Sequence, residues 1–101
     1  MERKHRCRLA NGEIEAEISD GHHCYSGTIA NLSYCGLAVE NLPADINYDV
    51  GTLYLNVRAA GDVYQLRAIP RWVDSSSVNK KIGMHIFYMP RTWIKFVRSI
   101  G

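Results

Sequence analysis

The sequence of 101 residues has no apolar run long enough to cross a membrane. A spanning helix needs about 20 consecutive apolar residues, and Glu, Asn, Arg or Gly interrupts every apolar stretch here within a few positions. The N-terminal segment MERKHRC leads directly into the polar segment LANGEIE, so it lacks the apolar core of a secretion signal. We therefore expect a soluble, cytoplasmic protein.

Cysteines are few and widely spaced, at Cys7, Cys24 and Cys35. An odd number at these spacings fits neither a disulfide framework nor the repeated Cys/His pairs of zinc sites. The segment HHC at residues 22–24 is the closest grouping of possible metal ligands, and any further ligand would have to be the distant His5, Cys7 or His85. We expect reduced thiols and no bound metal.

The sequence also has few of the signals that mark an enzyme. It contains no Ser or Cys with a recognisable base partner, no carboxylate pair set apart from a solvent-facing strip, and no phosphate-binding glycine loop before a helix. We therefore predict a protein that is not an enzyme and has no cofactor.

Positive charge is concentrated at the N-terminus, in Arg3, Lys4, Arg6 and Arg8. With Glu2 this arm carries +3, and the eight basic and nine acidic residues that remain give the rest of the chain −1. Such a basic arm is either a solvated tail or part of a binding site for an anionic partner.

The remainder of the chain shows the alternation of short β-strands. In EIEAEI, residues 13–18, the apolar residues Ile14, Ala16 and Ile18 alternate with glutamates, which predicts one buried and one acidic face. Five further strands are predicted at residues 24–30, 37–42, 52–58, 63–74 and 82–89.

Turn and breaker residues separate these strands. AAGD at residues 59–62 predicts a hairpin turn. Pro70 cannot donate to a strand ladder, so the strand that contains it should bend or lie at an edge there.

At the end of the chain the apolar period changes to that of a helix. In PRTWIKFVRSIG, apolar residues fall at helical spacing, namely Trp93, Ile94, Phe96, Val97 and Ile100, and Pro90 suits a first helical turn. We predict a helix over residues 90–100, with Trp93 and Phe96 packed on the strands. Six short strands and a terminal helix favour a small antiparallel barrel capped by the helix.

The polar segment NLSYCG, residues 31–36, follows the second predicted strand. Asn31 and Ser33 have short side chains that often fold back onto backbone donors, and Gly36 permits a positive φ or the close approach of a ligand. The segment is therefore either a simple connecting turn or one with polar groups available to a ligand.

Together, the arm and this turn resemble the PilZ family, six-stranded barrels that bind the bacterial second messenger cyclic di-GMP. That family carries an RxxxR arm before the first strand and a (D/N)xSxxG turn after the second. Asn31, Ser33 and Gly36 match the turn at every defined position, and the segments RWVD and IGMHIF follow in the expected order. The resemblance covers nearly the whole chain.

The resemblance implies a cyclic di-GMP receptor domain, with a role in signalling such as the control of motility or biofilm formation. Residues 1–10 would form a flexible arm that becomes ordered on binding, and residues 11–101 the barrel. Ordering of the arm would act on a partner protein or a fused domain. The implied ligand-binding residues are Arg3, Lys4, Arg6, Arg8, Asn31, Ser33 and Gly36.

The arm departs from the family pattern at one position. Arg8 fits the second arginine of RxxxR, but Lys4 stands where the first is expected. Arginine can hold a phosphate or a guanine edge with two bonds, whereas lysine supplies a point charge. Neighbouring Arg3 is available to compensate.

Two other interpretations remain open. A degenerate PilZ-like module would act through protein contacts without binding the nucleotide. A small nucleic-acid-binding barrel is disfavoured, because the chain without its arm is net acidic. Arg71 and Trp72 are candidates to extend a ligand site, although Trp72 is more typical of a core or edge residue.

Overall fold

The structure, a computed structural model, describes residues 14–100 and the backbone of Cys7–Arg8. The described part of the chain forms seven strands and one helix: β1 (Cys7–Arg8), β2 (Glu15–Ser19), β3 (Cys24–Leu32), β4 (Gly36–Leu42), β5 (Leu53–Ala59), β6 (Asp62–Asp74), β7 (Lys80–Tyr88) and α1 (Arg91–Ile100).

Six of the strands, β2 to β7, close into an antiparallel barrel. Neighbouring strands run in the order β3, β2, β5, β6, β7, β4, and β4 then pairs with β3 to complete the circle. The predicted six-stranded antiparallel barrel with a C-terminal helix is confirmed. Closure leaves none of these six strands as a free sheet edge along its full length.

The barrel core follows the alternation seen in the sequence. In β2, Ala16 and Ile18 are buried while Glu15 and Glu17 are exposed, and Ile14 just before the strand packs against the core. The inward residues of all six strands meet in one apolar cluster, because successive side chains of a strand point to opposite faces.

The short strand β1 was not predicted. It pairs antiparallel with β3, with Cys7 opposite Leu32 and Arg8 opposite Asn31. The ladder between β2 and β3 ends at Thr28, so β1 pairs with the last residues of β3, beyond the reach of β2.

The expected hairpin and strand distortion are both confirmed. Ala60 and Gly61 have φ of 53° and 83° in the turn between β5 and β6, as a primed two-residue turn requires. Beyond Ala68, β6 pairs with β7 but no longer with β5, and its register shifts between Pro70 and Trp72. Pro70 thus lies at an irregular, one-sided part of the strand.

The helix begins one residue later than predicted. Pro90 precedes α1, and its carbonyl accepts a hydrogen bond from the Trp93 N–H at 3.0 Å, so it caps the helix. Trp93 and Phe96 pack against Tyr64 of β6, with ring centres 5.6 and 5.2 Å away. Their predicted role in helix packing is confirmed. No helix within residues 14–100 is long and apolar enough to span a membrane.

Candidate ligand-binding site

The turn that matches (D/N)xSxxG connects β3 to β4 and is held from two sides. The Ser33 N–H donates to the Gly36 carbonyl at 2.7 Å, and the Ser33 hydroxyl donates to the same oxygen at 3.3 Å. The Cys35 carbonyl accepts from the Ile86 N–H of β7 at 2.8 Å. These bonds fix the turn both internally and to the neighbouring strand.

Two details differ from the sequence interpretation. The Ser33 hydroxyl binds a backbone acceptor, not a donor, because the Gly36 carbonyl faces it across the turn. Gly36 does not have a positive φ, since the positive-φ glycines among the described residues are Gly21 and Gly61. A Cβ at Gly36 would lie 3.5 Å from both Ser33 Oγ and the Met84 carbonyl, which is ordinary contact. Close approach of a ligand to Gly36 stays a prediction.

Strand register aligns the turn with the basic arm and with Trp72. Arg8 is opposite Asn31, Asn31 is opposite Ala38, Ala38 is opposite Gly83, and Gly83 is opposite Trp72. Directly paired residues share a face of the sheet. The small residues Ala38 and Gly83, which are both buried, therefore form the floor between Asn31 and Trp72.

Trp72 occupies the far end of this floor. Its indole lies so close to Gly83 that a Cβ there would overlap the ring, yet the side chain remains 47% exposed. One part of the indole covers the strand and the remainder is open to a ligand. Beyond it, Arg71 and Tyr48 line a groove of about 600 Å³.

A second row runs beside the first. Gly36 is opposite His85, and His85 is opposite Ile69. His85 is exposed, and Ile69 is 38% exposed. Sequence reasoning did not connect Ile69, Ala38 or Gly83 with the turn, because only the register between distant strands brings them there.

The arm is described in part. The backbone of Arg8 lies in β1, while Arg3, Lys4 and Arg6 lie outside the described residues, as does Glu13 of the acidic strip. The structure thus brings Arg8 and Asn31 together as backbone neighbours. The ligand contacts predicted for Arg3, Lys4 and Arg6 stay predictions.

In the HHC segment, His22 and His23 belong to a turn and Cys24 begins β3. The Asp20 carboxylate accepts hydrogen bonds from the backbone N–H groups of His22 and His23, each at 2.8 Å. The bond from His23, followed by that from His22, holds the pKa of Asp20 below its ordinary value of 3.8. Across residues 14–100, no three His, Cys, Asp or Glu side chains are grouped as metal ligands. Cys24 and Cys35 are free and exposed.

Comparison with known proteins supports the fold. No protein-family model matches the chain, and no curated protein matches it. The chain is similar to the solved structure of the Bacillus subtilis inhibitor of motility MotI/DgrA, with a TM-score of 0.74 and 16% identity. The match covers 98% of this chain and 51% of that one, so this chain spans about half the length of the other. At that identity, the likeness shows the fold: a PilZ-like six-stranded barrel with one C-terminal helix.

Proposed function

We propose that this protein is a cyclic di-GMP-binding domain that holds the nucleotide between its basic N-terminal arm and the turn at residues 31–36. The observation that supports this most is the register of β1 on β3, in which Arg8 is opposite Asn31. The arginine of one family motif and the first residue of the other therefore share one row of the sheet. We propose that the protein has this signalling function in the bacterial cytoplasm.

Each part of the proposed site suits a different part of the ligand. Cyclic di-GMP has two phosphates and two guanines, and the arm offers +3 of charge to the phosphates. A bidentate contact from Arg8 to a guanine edge is worth about 1–3 kcal/mol of discrimination. Asn31 and Ser33 supply polar groups on the opposite side of the ligand. Arg3, Lys4 and Arg6 are the further candidates for contacts to the phosphates.

Trp72 extends this site in the proposal. Its half-exposed indole stands in the same row as Asn31, across the floor formed by Ala38 and Gly83. A purine can stack on such a ring with a gain of about 1–3 kcal/mol. Arg71, which is exposed beside it, offers a second stacking or phosphate contact.

Isothermal titration with cyclic di-GMP tests the proposal, with GMP and a short oligonucleotide as competing ligands. We expect Arg8→Ala and Ser33→Ala each to weaken binding by about tenfold or more, which is 1.4 kcal/mol. Arg91→Ala and Ser26→Ala are the matched controls, since both residues are exposed and outside the site. Circular dichroism should show that all four variants fold.

Lys4→Arg tests the position at which the motif differs. If Lys4 occupies the first arginine position, the planar guanidinium should add a second hydrogen bond and tighten binding by about tenfold. An unchanged affinity would show that this position is not used, and that Arg3 or Arg6 has its role.

The main alternative is a PilZ-like module that acts through protein contacts without the nucleotide. The presence of Lys4 at the first arginine position of the motif favours this alternative. An isothermal titration without heat on addition of cyclic di-GMP would support it.

Nucleic-acid binding is the weaker alternative, and it would be favoured by oligonucleotide binding that survives removal of residues 1–8. In either PilZ-like case, the output is a contact with a partner protein or fused domain. The name of the similar structure, an inhibitor of motility, makes motility the first process to test.

A further inference from the structure

A cation held between two aromatic rings lies on the outer face of the barrel. Tyr54 of β5 is opposite Arg67 of β6, and Arg67 is opposite Tyr88 of β7. The guanidinium carbon lies 5.8 Å from the centre of the Tyr54 ring and 5.4 Å from that of Tyr88. Both contacts are within cation–π range, so the two rings restrict the orientation of the guanidinium.

Arg67 has no acidic partner among the described residues. The ion pair there joins Arg58 to Glu17 at 3.7 Å, and none involves Arg67. The segments 54–58, 63–69 and 85–88, which supply this face, contain no Asp or Glu. Glu17 of β2 also lines the cleft that contains Arg67, and its carboxylate is paired with Arg58. Arg67 is thus an exposed cation without an ion-pair partner among the described residues, while the one carboxylate lining its cleft is paired with Arg58.

Exposed apolar side chains also lie on β6 and β7. Val63, Ile69 and Phe87 are 58%, 38% and 48% exposed. The register of β6 with β7 shifts at Arg67, which leaves Phe87 as an extra residue beside Tyr88 and turns both aromatic rings outward. Exposed apolar residues grouped with aromatic rings are typical of an interaction surface, and Tyr and Arg are enriched among the residues that anchor protein interfaces.

We propose that the outer face of β5, β6 and β7 is a docking surface for a partner protein, with Arg67 binding a partner carboxylate between Tyr54 and Tyr88. The partner segment presents a glutamate or aspartate flanked by apolar side chains, which complements both the cation and the exposed apolar side chains of β6 and β7. The amides of Asn56 and Gln65 line the same cleft of about 340 Å³ and can bind the partner's backbone. One unpaired cation suits a single carboxylate better than the multiple phosphates of a nucleic acid.

This surface shares Ile69 with the second row of the candidate ligand site, and its other residues lie outside that site. It contains no residue of the arm and none of Asn31, Ser33 and Gly36. The test is therefore made without cyclic di-GMP, and its outcome does not depend on whether the nucleotide binds.

The test titrates the whole ¹⁵N-labelled chain with a capped peptide that has two glutamates flanked by leucines. The control peptide has glutamine in place of each glutamate. We expect the glutamate peptide to shift the Nε–Hε resonance of Arg67 and the amide resonances of Gln65 and Tyr88. The glutamine peptide should bind about tenfold or more weakly, because the guanidinium then loses its charged acceptor. Equal binding of the two peptides would overturn the proposal, as would the absence of shifts at millimolar peptide.

Variants of the cluster locate the binding and separate charge from ring packing. Arg67→Ala should abolish the shifts, and Arg67→Lys should weaken them because lysine lacks the planar fork. Tyr88→Phe should bind as the wild type does, while Tyr88→Leu should bind several-fold more weakly, because the ring that orients Arg67 is lost. Arg91→Ala, at an exposed position of α1, is the control and should have no effect on peptide binding. Wild-type binding by folded Arg67→Ala, or shifts confined to α1, would contradict the proposal.

Discussion

At Gly83 the absence of a side chain leaves room for the indole of Trp72. A Cβ at this position would overlap the indole atoms Cε2, Nε1 and Cζ2. Because Trp72 is half exposed, the ring can turn away towards solvent. The position of this ring in the candidate site is therefore set by a residue on the next strand.

We predict that Gly83→Ala displaces the Trp72 ring and destabilises the fold by about 1 kcal/mol. The two indole N–H resonances, assigned with Trp72→Phe, report the displacement, and urea unfolding reports the stability. If Trp72 contacts the nucleotide as proposed, affinity for cyclic di-GMP should fall as well. An unmoved Trp72 indole resonance would contradict the packing described here.

Gly27 permits close approach between β3 and β4. A Cβ there would lie 2.6 Å from Val39 Cγ1 and 2.8 Å from the Glu40 carbonyl, and a backbone atom cannot move aside easily. We expect Gly27→Ala to reduce the free energy of unfolding by about 1–3 kcal/mol. Gly51→Ala is the matched control, because Gly51 has a negative φ and no neighbour within 4 Å of a built Cβ. It should be neutral or slightly stabilising in the same urea measurement.

At the scale of the elements, the hairpin between β5 and β6 contains a residue that is poorly suited to its backbone. Ala60 has φ of 53°, in the left-handed region that costs an ordinary residue about 1–2 kcal/mol. Gly61 also has a positive φ in this turn, which glycine adopts without strain.

Ala60→Asn should therefore stabilise the protein by about 0.5–1 kcal/mol, because Asn-Gly is the favoured pair in this turn. Gly61→Ala should destabilise the protein by about 1 kcal/mol, because alanine is strained at a positive φ. Thermal unfolding of both variants checks the prediction. Equal stability of the three proteins would indicate that the turn relaxes without strain.

At the scale of the whole molecule, α1 is joined to the barrel through aromatic rings. Tyr64 contacts Trp93 and Phe96, and all three side chains are buried. Burial, with a smaller contribution from the charge of Asp62, raises the pKa of Tyr64 above its ordinary value of 10.0. Ionisation of Tyr64 is therefore less favourable in the folded protein than in the unfolded chain.

This difference predicts an alkaline weakening of the fold. Stability should not depend on Tyr64 ionisation below pH 10.0, and it should fall as the pH rises from there through the raised pKa of the folded state. Tyr64→Phe should remove this part of the pH dependence. Urea unfolding between pH 8 and 11 measures the free energy of unfolding at each pH. The same pH dependence in wild type and Tyr64→Phe would contradict the prediction.

Six strands and the helix could be predicted from the sequence, whereas β1 could not. Alternation in segments such as EIEAEI fixed which side chains enter the core, because a strand has two faces. AAGD fixed the hairpin, and the stripe that includes Trp93 and Phe96 fixed the helix to within one residue. The motif residues of the turn at residues 31–36 were also recognisable, since their order is local.

Which residues of separate strands are neighbours follows from the tertiary structure. The pairing of β1 with β3, the floor of Ala38 and Gly83, and the position of Arg67 between Tyr54 and Tyr88 all depend on register between separate strands. Register follows from the closure of the whole barrel and from bulges such as the one at Phe87. Such constraints act between distant segments, so a local pattern does not encode them. The shape of each proposed surface is therefore a property of the closed barrel.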